Sequence, residues 1–329
     1  MKIKSIIVAA TALFVSAVAF AQDPVTEVNK MWNEAVPLLN AKNYAEALPI
    51  LEKTLEAAFE ADAMDVVEKV QKYIPVCYFQ NGLSCIKAGD TDAALVNLYK
   101  ADEVAKLYND AKTSRNAKSA ISRVYKMLGA KSFNSKDYAA AVEVFAKGYE
   151  ANPQDTDLAL NLAMSYCELK DFENGVKVYT DVIALEKRHS KFVEPANKAK
   201  EALSNYLLVK AQDEFTAGDK EAAYATLDIL INADPMNSAN QMYRLQKAAE
   251  LQDWDNVITW AELAGAVMVT PEQQSEVYYL VAVAYDSKNE NQLAVDNYNL
   301  VVAGDKLQPA QARAAELVAF IKAEAEAAK

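Results

Sequence analysis

The stretch Lys136-Asp137-Tyr138-Ala139-Ala140-Ala141-Val142 decides the fold, because versions of it recur along the whole chain. Each copy has a polar turn, an aromatic or polar residue, two variable positions, a small residue and an aliphatic one. The other copies begin at Lys42, Gly89, Lys170, Gly218, Gln252 and, more weakly, Asn289. Seven copies are too many for chance, and such recurrence indicates an array of similar structural units.

The spacing between copies falls into a shorter and a longer class. The sixth residue of the phrase lies at Ala47, Ala94, Ala141, Gly175, Ala223, Val257 and Ala294, which gives intervals of 47, 47, 34, 48, 34 and 37 residues. The excess in the longer units is nearly four helical turns. Segments 59–67, 108–119 and 187–198 are charged and Ala-rich with almost no glycine, so they predict lengthened helices rather than loops.

Glycine and proline are scarce, with 8 and 9 residues among 329. Typical usage is roughly 7% and 5%, so a glycine-rich phosphate loop, a turn-dense β sandwich and a disordered linker are excluded, and helix is favoured throughout. Pro37 and Pro75 fall within first-helix segments and are predicted to kink or split them. Pro195 is predicted to start a helix instead.

The repeated phrase resembles the turn and second-helix start of the tetratricopeptide repeat (TPR), whose period is about 34 residues. The best copy carries Tyr125, Leu128 and Gly129 on the first helix, Tyr138, Ala141 and Phe145 after it, and Asn152-Pro153 at its end. The resemblance, to the secreted or periplasmic bacterial type, implies an all-α solenoid of about seven helix-turn-helix repeats over residues 22–307.

A capping helix and tail are predicted at 308–329, with Leu317, Phe320 and Ile321 as its apolar stripe, because a solenoid needs a helix to close its open end. A partner-binding tail is the alternative. Gly89 and Gly218 are predicted to turn between paired helices, and Gly129 and Gly175 to lie where helices cross closely.

In proteins of this family the first helices line a concave groove, so the resemblance also implies candidate protein-binding residues. These are Phe79, Lys126, Met164, Gln212, Met242, Gln246 and Tyr279, with Leu83, Ala130, Leu160, Leu208 and Val283 beside them. Only Lys126 fits the clamp with which some members bind a partner's C-terminal carboxylate. Apolar and amide side chains favour a helix or an extended peptide; packing against neighbouring helices is an equal alternative for some positions.

The N-terminus has the pattern of a secretory signal peptide. Lys2 and Lys4 precede the apolar run 6–18, and Ala19-Phe20-Ala21 forms a cleavage motif. We expect residues 1–21 to be removed by cleavage after Ala21, which places the mature protein in the periplasm or outside the cell. An uncleaved anchor is the alternative, but the run is shorter than the ~20 residues of a spanning helix. No cysteine near the site is available for lipidation.

The chain has 34 basic and 46 acidic side chains. The predicted cleavage would leave 32 basic and 46 acidic residues, a net charge of −14. Such a charge repels phosphate backbones and anionic lipid headgroups, so nucleic acid is not expected as a partner. No later segment is apolar enough to suggest a membrane span.

Residues for catalysis or metal binding are few. His189 is the only histidine and is expected to be exposed in a charged helix. Cys77, Cys85 and Cys167 are expected to be small packing residues, since Cys77 and Cys85 would lie about 12 Å apart on one helix. We therefore expect no catalytic residue, cofactor or metal.

The expected function is that of a non-catalytic interaction scaffold in the bacterial envelope, whose partner is a protein or peptide and whose setting can be an envelope protein complex. The alternatives are a self-associating structural component of such an assembly and, third, a small-ligand carrier.

Overall fold

The computed structural model describes residues 23–327, so the predicted signal peptide and its cleavage after Ala21 lie outside the described part. Fourteen of the fifteen α-helices in this range pair into seven hairpins, which confirms the predicted all-α repeat array. The helices are α1 Pro24–Asn40, α2 Tyr44–Glu60, α3 Met64–Ala88, α4 Thr91–Leu107, α5 Ala111–Asn134, α6 Tyr138–Ala151, α7 Thr156–Glu168, α8 Phe172–Ala184, α9 Val193–Thr216, α10 Lys220–Ala233, α11 Ser238–Glu250, α12 Trp254–Val267, α13 Pro271–Ser287, α14 Asn291–Tyr298 and α15 Leu307–Ala327.

The chain divides into two compact units between Leu158 and Ala159. In the first unit each helix from α1 to α6 packs on the next, and the first helices of successive hairpins also touch, α1 with α3 and α3 with α5. In the second unit α8 to α15 pack in the same sequential way, and α11 touches α13. Packing on chain neighbours is the rule that defines a solenoid.

The first residue of the repeated phrase makes the turn inside every hairpin. All seven of these residues have a backbone φ between 55° and 82°, the left-handed region that ends a helix. They are Lys42, Gly89, Lys136, Lys170, Gly218, Gln252 and Asn289. The prediction that Gly89 and Gly218 turn between paired helices is confirmed, and non-glycine residues make the same turn in the other five hairpins.

The second residue of the phrase caps the second helix in four of the hairpins. The carboxylates of Asp90, Asp137, Asp171 and Asp219 each accept a hydrogen bond from the backbone N–H three residues later, at 3.0 to 3.3 Å. Such a cap satisfies one of the N–H groups that the helix leaves without a partner. The recurring turn-and-aspartate pair therefore stops one helix and starts the next.

The small residue of the phrase lies where the two helices of a hairpin cross. Ala47, Ala94, Ala141, Ala223 and Ala294 are fully buried. At Gly129 an added Cβ would lie 2.5 Å from the buried ring of Phe145, and at Gly175 it would lie 2.5 Å from the Cys167 sulfur. Both glycines therefore sit at close crossings, as predicted.

The long repeats owe their length to the first helices. α3, α5 and α9 have 25, 24 and 24 residues, whereas α7 and α11 have 13 each. The prediction for segment 187–198 is wrong over its first half: 3₁₀ turns at Leu185–Lys187 and Ser190–Phe192 precede α9. Segments 59–67 and 108–119 likewise contain the turn between hairpins.

The prolines leave their helices continuous. α1 and α3 continue through Pro37 and Pro75 without being split. Pro195 lies in the first turn of α9, where its missing N–H removes no helical hydrogen bond.

The helix α15 packs on α14 at the end of the second unit. Ala310, Ala314 and Leu317 join a buried cluster with Val295 and Tyr298, and Ile321 packs against its edge. Phe320 does not belong to this contact, since it is 50% exposed. The helix begins at Leu307, one residue before the predicted boundary.

Candidate protein-binding faces on the first helices

All seven predicted groove residues lie on first helices. Phe79 on α3 and Lys126 on α5 belong to the first unit, and the other five lie on the first helices of the second unit: Met164, Gln212, Met242, Gln246 and Tyr279. The first helices of the first unit thus carry two of the candidates, and those of the second unit carry five.

In the first unit the apolar candidates belong partly to the core. Phe79 and Leu83 are half-buried and pack against a cluster that includes Leu98, Ile121 and Val124. One side of each residue thus stabilises the contact between hairpins, and the other remains accessible. The alternative of packing against neighbouring helices therefore applies to both Phe79 and Leu83.

Lys126 lies between two carboxylates. Its ammonium group is 3.4 Å from Asp155 and 3.2 Å from Asp157, and its side chain is 32% exposed. Asp155 also accepts a hydrogen bond from the Ser122 hydroxyl at 2.6 Å and one from the Leu158 N–H at 3.2 Å. A partner's carboxylate at Lys126 would have to compete with both aspartates.

In the second unit the candidates divide by exposure. Met164 and Met242 are half-buried, whereas Gln212 and Gln246 are exposed. The Gln212 amide oxygen accepts a hydrogen bond from the Tyr243 hydroxyl at 3.2 Å. This bond links the exposed faces of α9 and α11.

Tyr279 packs against residues near the end of the last hairpin. Its ring lies edge-on to that of Tyr298, with centroids 5.9 Å apart, and the Lys306 ammonium lies 5.4 Å from its centroid. Tyr279 and Val283 both pack against the cluster that receives α15. Replacing Tyr279 would therefore disturb the last hairpin as well as any bound partner.

A buried polar group in the sixth hairpin was not predicted from the sequence. Arg244 on α11 is only 4% exposed, yet it keeps its charge paired. One guanidinium nitrogen bonds Asp228 at 2.8 Å, another bonds Gln241 at 3.2 Å, and the plane lies 4.5 Å from the Trp260 centroid. Burial lowers the pKa of Arg244, and the bond to Asp228 opposes that shift. Residues 240–246 mix polar and apolar types without any signal of this burial.

An open depression of about 690 Å³ lies beside α4 in the first unit. Tyr78 of α3 and the α4 residues Val96, Tyr99 and Glu103 are among its lining residues. The Tyr78 hydroxyl bonds the Glu52 carboxylate, and burial, together with that contact, raises the pKa of Tyr78. A phenol that stays protonated there acts as a hydrogen-bond donor.

The histidine and the three cysteines lie in surroundings that fit structural roles. His189 is exposed, as predicted, but it lies between two 3₁₀ turns rather than in a helix. Burial raises the pKa of both Cys77 and Cys167 to about 12, so these thiols stay protonated. Cys85 is half-buried, and all three are free.

Between residues 23 and 327 no group of three His, Cys, Asp or Glu residues is placed to hold a metal ion. Over the same range no helix has the length and apolarity needed to cross a membrane.

No protein-family model and no curated relative matches the chain. Solved structures that it resembles include the TPR domain of P58(IPK), with 13% identity over 89% of this chain and 99% of that one and a TM-score of 0.30. A TPR protein from Parabacteroides merdae matches with 10% identity over 89% and 99% and a TM-score of 0.28. A thermophilic TPR protein from Thermus thermophilus matches with 21% identity over 60% and 98% and a TM-score of 0.26.

The geometry of this chain defines its fold, and these low TM-scores do not. Seven hairpins share one left-handed turn position, six have Ala or Gly at the crossing position, and four share an aspartate cap. The class that these features define is the TPR-like helical repeat fold.

Proposed function

We propose that the protein is a non-catalytic interaction scaffold of the bacterial cell envelope, and that it binds a protein segment on the faces of its first helices. The observation that carries the proposal is that α11 combines a buried apolar side with accessible Met and Gln side chains. Leu245 and Ala248 of this helix are fully buried, while Met242 stays half-exposed and Gln246 is exposed. An apolar anchor beside amide groups suits a helix or an extended peptide.

The export part of the proposal is supported by the order of residues at the N-terminus. Lys2 and Lys4, the apolar run and Ala19-Phe20-Ala21 follow the arrangement of a cleaved signal. It is tested by expressing the full chain in a bacterium with an outer membrane and determining the N-terminal residue of the product in the periplasmic fraction. We expect Gln22; a product that begins at Met1 in the cytoplasm contradicts export.

The binding part is tested by affinity capture from the envelope fraction with the wild-type mature chain, Met164→Lys and Met242→Lys. Matched controls are Ile229→Lys on α10 and Leu263→Lys on α12, which are exposed apolar residues of second helices in the same unit. We expect specific partners to be lost from the first-helix variants and kept by the controls. Circular dichroism before capture checks that each variant is folded. An unchanged set of partners for both methionine variants contradicts the assignment of the face.

A further inference from the structure

Helix α5 has an unusual charge. It carries six basic residues, Lys112, Arg115, Lys118, Arg123, Lys126 and Lys131, and no acidic residue. Among the α-helices of residues 23–327 it is the only one without an Asp or Glu. The chain as a whole has 46 acidic against 34 basic side chains. The positive charge is therefore concentrated on one first helix of an acidic protein.

Four of these residues form one stripe. Lys112, Arg115, Arg123 and Lys126, with Ser119 between them, follow steps of three or four residues, which place them on one helix face. We call these four cations the basic stripe. Lys112, Arg115 and Arg123 are exposed and Lys126 is half-buried. At 1.5 Å per residue the stripe is about 21 Å long.

Most of the stripe lacks a salt-bridge partner, although the N-cap carboxylate of Asp110 interacts electrostatically with Lys112. Within residues 23–327 no carboxylate lies within 4.0 Å of Lys112, Arg115 or Arg123, whereas Lys126 pairs with Asp155 and Asp157. On the neighbouring first helix α3, by contrast, Lys69 and Lys72 pair with acidic residues one turn away. The unpaired cations of the stripe are thus a local feature of α5.

One cation of the stripe lies against the helix dipole. Lys112 is the second residue of α5, where the positive end of the dipole disfavours a cation. The N-cap carboxylate of Asp110 offsets this effect at Lys112, so the uncompensated positive potential lies toward Arg115 and Arg123. A surface that concentrates positive charge without salt-bridge partners is a candidate for binding an anionic partner.

We propose that the basic stripe binds an acidic polypeptide segment through Asp and Glu side chains distributed along that segment. This inference rests on the proposed function and names the chemistry of the partner on α5. Over about 21 Å an extended peptide has about six residues, so three acidic side chains on alternate residues match the three cations without a salt-bridge partner, and Lys126 is available only in competition with Asp155 and Asp157. Duplex DNA carries about twelve charges over the same length, and the acidic remainder of the protein repels it. The match in charge density favours a protein segment.

The test uses the mature chain and a blocked peptide. The probe is an N-acetylated, C-amidated peptide of about twelve residues in which Glu alternates with Ser, so that a terminal carboxylate contributes nothing. The same peptide with Gln for Glu and a short oligothymidylate serve as comparators. Binding is measured by fluorescence anisotropy at low salt and at 0.15 M salt, where exposed charges are screened beyond about 8 Å.

The variant Arg115→Glu/Arg123→Glu is compared with Lys131→Glu/Lys147→Glu, an equal charge change at exposed lysines outside the stripe. We expect the Glu peptide to bind at least about tenfold more tightly than the Gln peptide, with the stripe variant about tenfold weaker and the control less than about threefold weaker. Absent binding, equal losses in both variants, or tighter binding of the oligonucleotide overturns the inference.

The failure of this inference is distinguishable from the failure of the proposed function. If the stripe variant keeps the partners that Met242→Lys loses, the scaffold function stands and the acidic-segment inference is wrong. If neither methionine variant changes capture, the assignment of the first-helix face fails whatever the peptide does.

Discussion

Arg313 on α15 donates two parallel hydrogen bonds to the carboxylate of Asp286 on α13, Nε to one oxygen at 2.7 Å and a terminal nitrogen to the other at 3.0 Å. The Tyr298 hydroxyl donates to the same carboxylate at 3.3 Å. The closing helix is thereby joined to both helices of the last hairpin by polar contacts as well as by its buried apolar residues. Two-pronged pairing of this kind fixes orientation as well as distance.

The first prediction concerns acid stability. The hydrogen bond from Arg313 holds the pKa of Asp286 below its usual 3.8, against the opposite effect of burial. A lowered folded-state pKa stabilises above about pH 4, and the stabilisation is lost as the pH falls through that pKa. We expect Arg313→Gln to be less stable than wild type at pH 7 by about 1 kcal/mol or less, since Arg313 is partly exposed.

Urea unfolding followed by circular dichroism measures this difference, and it should shrink toward pH 2. Glu316→Gln is the control, because it removes only the more exposed partner of Arg313. A difference that is the same at pH 7 and pH 2 contradicts the role given to Asp286.

The second prediction separates close crossings from open helix positions. Gly129→Ala places a Cβ against the Phe145 ring, so we expect a loss of about 1–3 kcal/mol. Gly265→Ala on α12 meets nothing nearer than 3.9 Å, so we expect a gain of up to about 1 kcal/mol from helix propensity. Thermal unfolding compares the two variants, and a shift of the same sign in both would be inconsistent with this packing.

The third prediction concerns the thiols. Because burial raises the pKa of Cys77 and Cys167 to about 12, neither provides an appreciable amount of thiolate at pH 8. We expect a short treatment of the native protein with iodoacetamide to modify Cys85 first, and all three cysteines in denaturant. Peptide mass spectrometry identifies the modified sites. Rapid native modification of Cys77 would show that α3 is not packed as described.

The fourth prediction concerns the buried guanidinium. Arg244→Lys keeps the charge but cannot bond Asp228 and Gln241 together while stacking on Trp260. We expect it to destabilise the protein by about 2 kcal/mol, within the range for a buried charge that loses hydrogen bonds. Arg244→Met keeps the volume and removes the charge, so we expect a smaller loss. If Arg244→Lys destabilises the protein less than Arg244→Met, the planar pairing of the guanidinium contributes little to stability.

The hairpins could be predicted from the sequence because their signals are local. A turn residue, an aspartate cap and a small crossing residue act within one phrase, and Lys136, Asp137 and Ala141 have those roles in the structure. The long first helices followed from the longer spacing. The turns at 185–192 did not, because charged residues without glycine suit a 3₁₀ turn as well as an α-helix.

The buried and binding residues were harder to predict because they depend on packing between helices. From the sequence, Arg244 is expected at the surface. Its burial depends on the packing of Trp260 and Asp228 around it. The absence of acidic residues from α5 is visible in the sequence, but the exposure of Arg115 and Arg123 and their lack of a carboxylate partner are not. The candidate groove residues remain predictions, with Phe79 and Tyr279 now known to be partly engaged in the core.

The central claim is that a protein partner binds on the first helices, and hydrogen exchange of the mature chain with and without a captured partner tests it most directly. Peptides are compared by mass spectrometry between first helices, such as α5 and α11, and second helices, such as α4 and α12. We predict added protection on first helices and little change on second helices. Protection confined to second helices would contradict the account.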